Sequence, residues 1–179
     1  MANLWSIRLT GSGGQGVIKG AIILAQAALN DGLNATQSQV YGPEARGGST
    51  KSEVNINKEE IFYPKAEKPN VLLSLTQESY HKYSQDVEAN GFIIVDDIMV
   101  KCDPKEKRAA KTFSLPIVRT ARDEIQNELC TNIVALGAIV GITEMLSKEA
   151  VLEGIADNFK AKIYAINEKA FLAGYRIGK

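Results

Sequence analysis

Apolar and polar positions change period several times along the chain, and each change predicts an element. In "LWSIRLT", Trp5, Ile7 and Leu9 alternate with other residues as in a first strand. Val17, Ile18, Ala21, Ile22, Leu24, Ala25, Ala28 and Leu29 then recur at helical spacing, and "NDG" at 30–32 ends that run. "NATQSQVYG" reads as a short polar strand. "STKSEVNIN" alternates, with Val54 and Ile56 on one face and Lys51, Glu53, Asn55 and Asn57 on the other; "YGPEARGG" is the loop between them. "NVLLSL" at 70–75 is a continuous apolar run, the pattern of a strand covered on both faces. "TQESYHKYSQDVEANG" predicts a helix closed by Gly91, "FIIVDD" another buried strand and "KTFSLPI" a last one. From about Thr120 the spacing is helical, first in "ARDEIQNELCTNIVALGAIVGITEML". A second helix, "SKEAVLEGIADNF", starts around Ser147, and "KIYAINEKAFLAGYRIG" is a third.

Strand, helix, strand in succession is the unit of a parallel sheet with right-handed crossovers. The predicted fold is therefore α/β, a mostly parallel sheet with helices on both faces, a Rossmann-like start and a helical C-terminal segment. A length of 179 residues suits one domain spanning 1–179.

Hydrophobic residues make up 45% and charged residues 23%, the balance of a folded globular protein. Lys plus Arg and Asp plus Glu are each 21, so no net field favours nucleic acid or an anionic membrane. "MANLWSIRLT" lacks the pattern of a secretory signal, and the longest apolar run, Ile133 to Ile142, is about half of the roughly 20 residues a spanning helix requires. The expectation is a cytoplasmic protein without membrane insertion. Cys102 and Cys130 form no pair by spacing and are expected as free or buried thiols; two cysteines fall short of the roughly four that a cubane iron–sulfur cluster takes. His81 has no neighbouring ligand and is expected on a helix surface, so no metal is expected in this chain.

Between the first strand and helix lies "GSGGQG". Gly11, Gly13 and Gly16 satisfy G-x-G-x-x-G in the context that motif requires. A backbone bare of side chains can approach a diphosphate closely, and the unpaired amides opening the helix supply donors and positive partial charge. The same glycines would also serve a tight turn and close helix packing, and the motif leaves both open. A nicotinamide site would need an acidic residue about 20 positions on; "NATQSQV" at 34–40 has none. The nucleoside triphosphate loop also fails, since Val17 and Ile18 follow Gly16 and Lys19 comes too late. Asp96 and Asp97 end a strand, where a turn or a crevice could use them.

In "YGPEARGG", Gly42 and Pro43 on one side and Gly47 and Gly48 on the other bracket a loop whose only charges are Glu44 and Arg46, with Tyr41 beside them. Glu44 and Arg46 could pair with each other in solvent, or Arg46 could meet a phosphate or carboxylate; spacing leaves both open. Gly137 and Gly141, four apart on an apolar helix, permit a close backbone approach, within the chain or to a partner. Tyr80 and Tyr83 are candidates for interface aromatics or for half-buried covers.

Taken together, "GSGGQGVIKGAIILAQAA", "QSQVYGPEARGGSTKSEV", "FYPKAEKPNVLLSLTQESYHKY" and "GAIVGITEML", in that order, resemble the gamma subunit of 2-oxoacid:ferredoxin oxidoreductases. The likeness covers nearly the whole chain, and the "YGPEARGG" form is similar to the 2-oxoglutarate type more than to the pyruvate type. The resemblance implies oxidative decarboxylation of a 2-oxoacid with coenzyme A as co-substrate, by a complex using thiamine diphosphate, Mg and iron–sulfur clusters. This chain has no G-D-G leading into an N-N segment for thiamine and only two cysteines. The resemblance therefore places those groups on alpha, beta and delta (ferredoxin-like) subunits, with ferredoxin or flavodoxin reached through the complex.

For the chain itself, the resemblance implies a subunit that is inactive alone, carries no catalytic residue and binds no cofactor of its own, equivalent to a domain of the fused pyruvate enzymes that lies over the active site. Gly11, Ser12, Gly13, Gly14, Gln15 and Gly16 are then expected to receive the phosphates of coenzyme A. Tyr41, Gly42, Glu44, Arg46, Gly47 and Gly48 are expected in an active-site-facing or interface loop. A free-standing binder of a nucleotide or other phosphorylated ligand, and a purely structural subunit, are the rival expectations.

Overall fold

The computed structural model describes residues 4–39, 49–103 and 109–179. Its strands are β1 (Leu4–Ser12), β2 (Asn34–Gln39), β3 (Ser49–Asn57), β4 (Val71–Ser74), β5 (Phe92–Asp96) and β6 (Lys111–Leu115). They form one sheet in the order β2-β3-β1-β4-β5-β6. From β1 through β4 and β5 to β6 every pairing is parallel, whereas β3 runs antiparallel to both β1 and β2. The chain thus leaves β1 towards one edge and returns as β4 on its other side, a reversal of strand order beside β1.

Helices α1 (Val17–Asn30), α4 (Thr131–Thr143), α5 (Lys148–Asn158) and α6 (Ala161–Gly178) cover one face of the sheet; α2 (Gln77–Tyr83) lies over the other, and α3 is the single turn Ile117–Arg119. The strand periodicity explains this sorting. Ile7, Leu9, Val71, Leu73 and Ile94 join the larger core under α1 and α4, while Leu72, Ile93 and Val95 meet Tyr80, Tyr83 and Val100 on the opposite side. Each fully buried Ile or Leu contributes roughly 2 kcal/mol. Tyr80 and Tyr83 are therefore buried members of the second core rather than interface aromatics.

The packing of α4 on α6 gives the apolar-helix glycines their reason. A Cβ on Gly137 would fall on the Phe171 carbonyl, one on Gly174 on the Val134 carbonyl, and one on Gly141 would lie 2.6 Å from the Tyr175 carbonyl. The close approach anticipated at Gly137 and Gly141 is made within this chain.

Two helix boundaries differ from the sequence expectation. The run predicted to end at Gly91 is α2 followed by a 3-10 turn, Ser84–Asp86, after which Val87 is extended. Asp86 is drawn to Arg8, whose Nη1 donates to it at 3.0 Å, and Gly91 closes a separate turn by donating to the Glu88 carbonyl. A Cβ on Gly91 would lie 2.7 Å from the Asn70 carbonyl, so its bareness serves this contact rather than a helix end. The run predicted as one helix from Thr120 is broken. A π-turn spans Thr120–Glu124, Gln126 has φ 59°, and a 3-10 turn, Glu128–Cys130, precedes α4. The break is held by Asn127, extended at φ −152°, whose side chain accepts from the Leu129 amide. Ser147 caps α5 as expected, accepting from the Ala150 amide.

The polar face of β3 is buried, not solvated. Glu53 accepts from Arg8 Nε at 2.9 Å and from the Ala66 amide at 3.3 Å; Arg8 Nη2 donates to the Ala66 carbonyl at 2.6 Å, and Asn55 Nδ2 to the Tyr63 carbonyl. Residues 58–69, which have no regular secondary structure, lie over this face. Tyr83 stacks on the Arg8 guanidinium, 5.3 Å from ring centre to Cζ.

Candidate ligand crevice at the glycine turn

Gly11 and Ser12 are the last residues of β1, with Gly11 buried and paired to Thr50, and Gly13 to Gly16 follow the strand's carboxyl end, next to β4, where the strand order reverses. Open α/β sheets bind ligands at such a point. Gly14 and Gly16 lie in the left-handed region, at φ 91° and 69°, which turns the chain from strand to helix. Gly14 has open space where a Cβ would be, whereas at Gly16 a Cβ would meet Asn132 Nδ2 at 2.6 Å. Gly16 caps α1 without a side-chain hydrogen bond, so the first amides of the helix have no partner within it.

Gln15 shapes the turn from inside. Its Oε1 accepts from the Ser12 amide at 2.7 Å, and its own amide donates to the Ser12 carbonyl at 3.2 Å. A Cβ on Gly11 would fall on that Oε1, which explains the first glycine. With Oε1 engaged, Nε2 is the donor end of a side chain that lines the crevice.

The crevice has a volume of about 450 Å³. Gly14 and Gln15 form one side; Ile98 and Met99 after β5, Arg122 in the π-turn, and Glu128 and Leu129 before α4 form the others. Sequence reasoning found Gly14 and Gln15 and missed the rest. Ile98, Met99 and Leu129 are exposed apolar side chains, the one signal that could have marked them. Arg122 and Asp123 pair at the rim. The hydrogen bond between them, and next their opposite charges, hold the guanidinium above its ordinary pKa; the Asp123 carboxyl lies below its own, chiefly through the same bond. Backbone donors, one amide side chain and an apolar rim suit a ligand with anionic and apolar parts, with Arg122 paired to Asp123 and the Glu128 carboxylate also in the lining.

Other sequence-singled residues have structural roles. Asp96 is buried and accepts from the amides of Ile98, Met99 and Val118, so it ties the crevice loops together instead of facing a ligand. Asp97 pairs with Arg119. His81 is exposed on α2 beside Gln77. Cys102 and Cys130 are free thiols, and burial pushes the Cys130 thiol above its ordinary pKa. Two such thiols do not fit an iron–sulfur cluster, and no group of three potential metal ligands occurs among the described residues. Tyr41, Gly42, Glu44, Arg46, Gly47 and Gly48 lie outside the described residues. No helix among the described residues is long and apolar enough to cross a membrane.

A glycine turn opening at the carboxyl ends of a mostly parallel sheet, with a crevice beside it, defines the class: an α/β domain with a crevice at its switch point. Within that class, the model of the pyruvate ferredoxin/flavodoxin oxidoreductase family matches residues 6–177, and the chain belongs to that family. It is 41% identical to the 2-oxoglutarate synthase subunit KorC of Methanocaldococcus jannaschii, over 97% of this chain and 93% of the relative. The gamma subunit of a keto/oxoacid ferredoxin oxidoreductase from Geobacter sulfurreducens superposes with a TM-score of 0.86 at 39% identity, covering 97% of this chain and 98% of that one. A 2-oxoglutarate:ferredoxin oxidoreductase from Magnetococcus marinus, solved with 2-oxoglutarate, coenzyme A and succinyl-CoA bound, shares the fold. Its TM-score is 0.88 at 22% identity, over 99% of this chain and 31% of that one.

Proposed function

We propose that the chain is the gamma subunit of a 2-oxoglutarate:acceptor oxidoreductase, which converts 2-oxoglutarate and coenzyme A to succinyl-CoA and passes electrons to ferredoxin or flavodoxin. The observation that carries this reading is the 41% identity to a KorC subunit across 97% of the chain. Residues 1–179 act as one gamma-type domain in the cytoplasm. Thiamine diphosphate with Mg and the iron–sulfur clusters belong to alpha, beta and delta subunits; the two cysteines here support that division.

In this reading the glycine turn takes the diphosphate of coenzyme A. Within Gly11 to Gly16 the amides of Gly13, Gly14 and Gly16, with the opening of α1, supply donors, since those of Ser12 and Gln15 are bonded inside the turn and Gly11 belongs to β1; the Ser12 hydroxyl and Gln15 Nε2 stand beside them. Ile98, Met99 and Leu129 give the apolar parts of the coenzyme a wall, and the resemblance alone assigns Arg46 or Tyr41, outside the described residues, to its polar parts or to the neighbouring catalytic subunit. The chain contributes by holding the thiol end of the coenzyme in position for a reaction on another subunit, an effect of orientation.

Native mass spectrometry of the purified complex, with activity assayed on several 2-oxoacids, tests the assignment. The expected result is a hetero-oligomer that carries thiamine and clusters and is most active on 2-oxoglutarate, while the isolated chain is inactive. Turnover by the isolated chain, or partners with neither thiamine nor iron, would overturn it.

A further inference from the structure

Asn132 stands in the first turn of α4 and is 8% exposed. Its Nδ2 donates to the Gly16 carbonyl at 3.1 Å, and Cγ lies 2.9 Å from the position a Cβ on Gly16 would occupy. The carboxamide is thus keyed into the last residue of the glycine turn, next to Thr131 on the crevice wall. Its other end is unsatisfied, since Oδ1 is buried without a hydrogen-bond partner. A buried orphan acceptor is unfavourable, and α4 is otherwise apolar here, with Ile133, Val134 and Ala135 following. The Gly16 carbonyl also accepts from the Gly20 amide at 2.9 Å, so the start of α1 does not depend on Asn132. A half-satisfied amide that stabilises little is placed where it fixes one thing, the orientation of the turn.

We infer that Asn132 is a positioning residue for the crevice: its amide locks Gly16 in the left-handed conformation and so aims the donors of the turn at the anionic part of the ligand. This rests on the reading that the turn receives coenzyme A. Its role is distinct from that of the glycines, which permit the conformation, because Asn132 selects it from a different element.

The test uses assembled complexes carrying Asn132→Ala or the isosteric Asn132→Asp, each of which removes the donor, with Gly13→Val alongside. Both Asn132 variants are expected to raise the KM for coenzyme A about 3- to 10-fold. The kcat at saturating coenzyme and the KM for 2-oxoglutarate should stay at wild-type values in both, and the melting temperature in Asn132→Ala; Asn132→Asp should melt lower, because it buries a carboxylate against the Gly16 carbonyl. If Gly13→Val raises the coenzyme KM and neither Asn132 variant does, the positioning role is wrong while the reading of the turn stands. If none of the three raises it, the reading of the turn fails and takes the role of Asn132 with it. A lower melting temperature of Asn132→Ala, with kcat falling and KM unchanged, would mark Asn132 as a packing residue and overturn the proposal.

Discussion

Gly174→Val is expected to yield no stably folded chain, or one melting at least about 10 °C lower, because α6 and α4, whose first residue Thr131 lines the crevice, can no longer meet. A Cβ on Gly174 falls on the Val134 backbone, and no side-chain rotation relieves a clash with a backbone. On the facing helix Gly137 abuts the Phe171 carbonyl and the Tyr175 amide, so both helices use bare positions at the same crossing. Separating them would loosen Ile133, Val134, Ala170 and Phe171, all buried in the main core. The cost is about 3 kcal/mol or more against a total stability of roughly 5–15 kcal/mol. Gly20→Ala is the control: a Cβ there would lie 3.9 Å from Leu136, and alanine is the better helix former by about 1 kcal/mol. Thermal denaturation should show that variant at or above wild type. A Gly174→Val chain that melts with the wild type would refute the packing described.

Glu53→Ala is expected to destabilise the protein by about 3–5 kcal/mol, since it leaves the Arg8 charge buried beside a lost partner. Glu53 is the common acceptor for Arg8 Nε, the Ala66 amide and Lys51 Nζ, the last at 3.2 Å. Asp86 still reaches Arg8, but from a half-exposed position where solvent screens it. Replacing both charges with apolar residues of similar size, Arg8→Met with Glu53→Leu, should recover part of the loss: it leaves no stranded ion at Arg8, but the buried Ala66 amide and carbonyl lose their partners. Urea denaturation of the single and double variants measures this. Equal losses in both would mean that the ion pair has no special role and that shape alone governs the site.

Much of the fold is legible in the sequence for a simple reason: β1, β3, α1 and α6 each carry one dominant period, while β4, β5 and α4 are uninterrupted apolar runs whose lengths tell strand from helix. β4 and β5 read as covered on both faces, and they are, with Leu72 and Ile93 turned to one core and Leu73 and Ile94 to the other. The break before α4 is less legible because apolar spacing runs on through Ile125 and Cys130. Only the capping geometry of Asn127 stops the helix, and a lone Asn is a weak local signal. The buried ionic face was hidden for another reason: alternation in β3 sorts residues between faces but does not say what lies above them, and residues 58–69 have no period. The same limit holds for the crevice. "GSGGQG" announces a turn, but Ile98 after β5 and Arg122 and Leu129 before α4 reach it from two distant segments, and only the sheet topology brings them there.

The central claim is that the bare glycine turn is the docking point for the phosphates of coenzyme A. It is tested most directly by titrating coenzyme A against complexes containing Gly13→Val. Gly13 is exposed on the turn, so the larger side chain blocks approach to the backbone without entering the core. The account predicts a normally assembled complex with the KM for coenzyme A raised about tenfold or more, as expected when charge-assisted bonds to a phosphate are lost, and an unchanged KM for 2-oxoglutarate. Normal assembly with an unchanged KM for coenzyme A would contradict it.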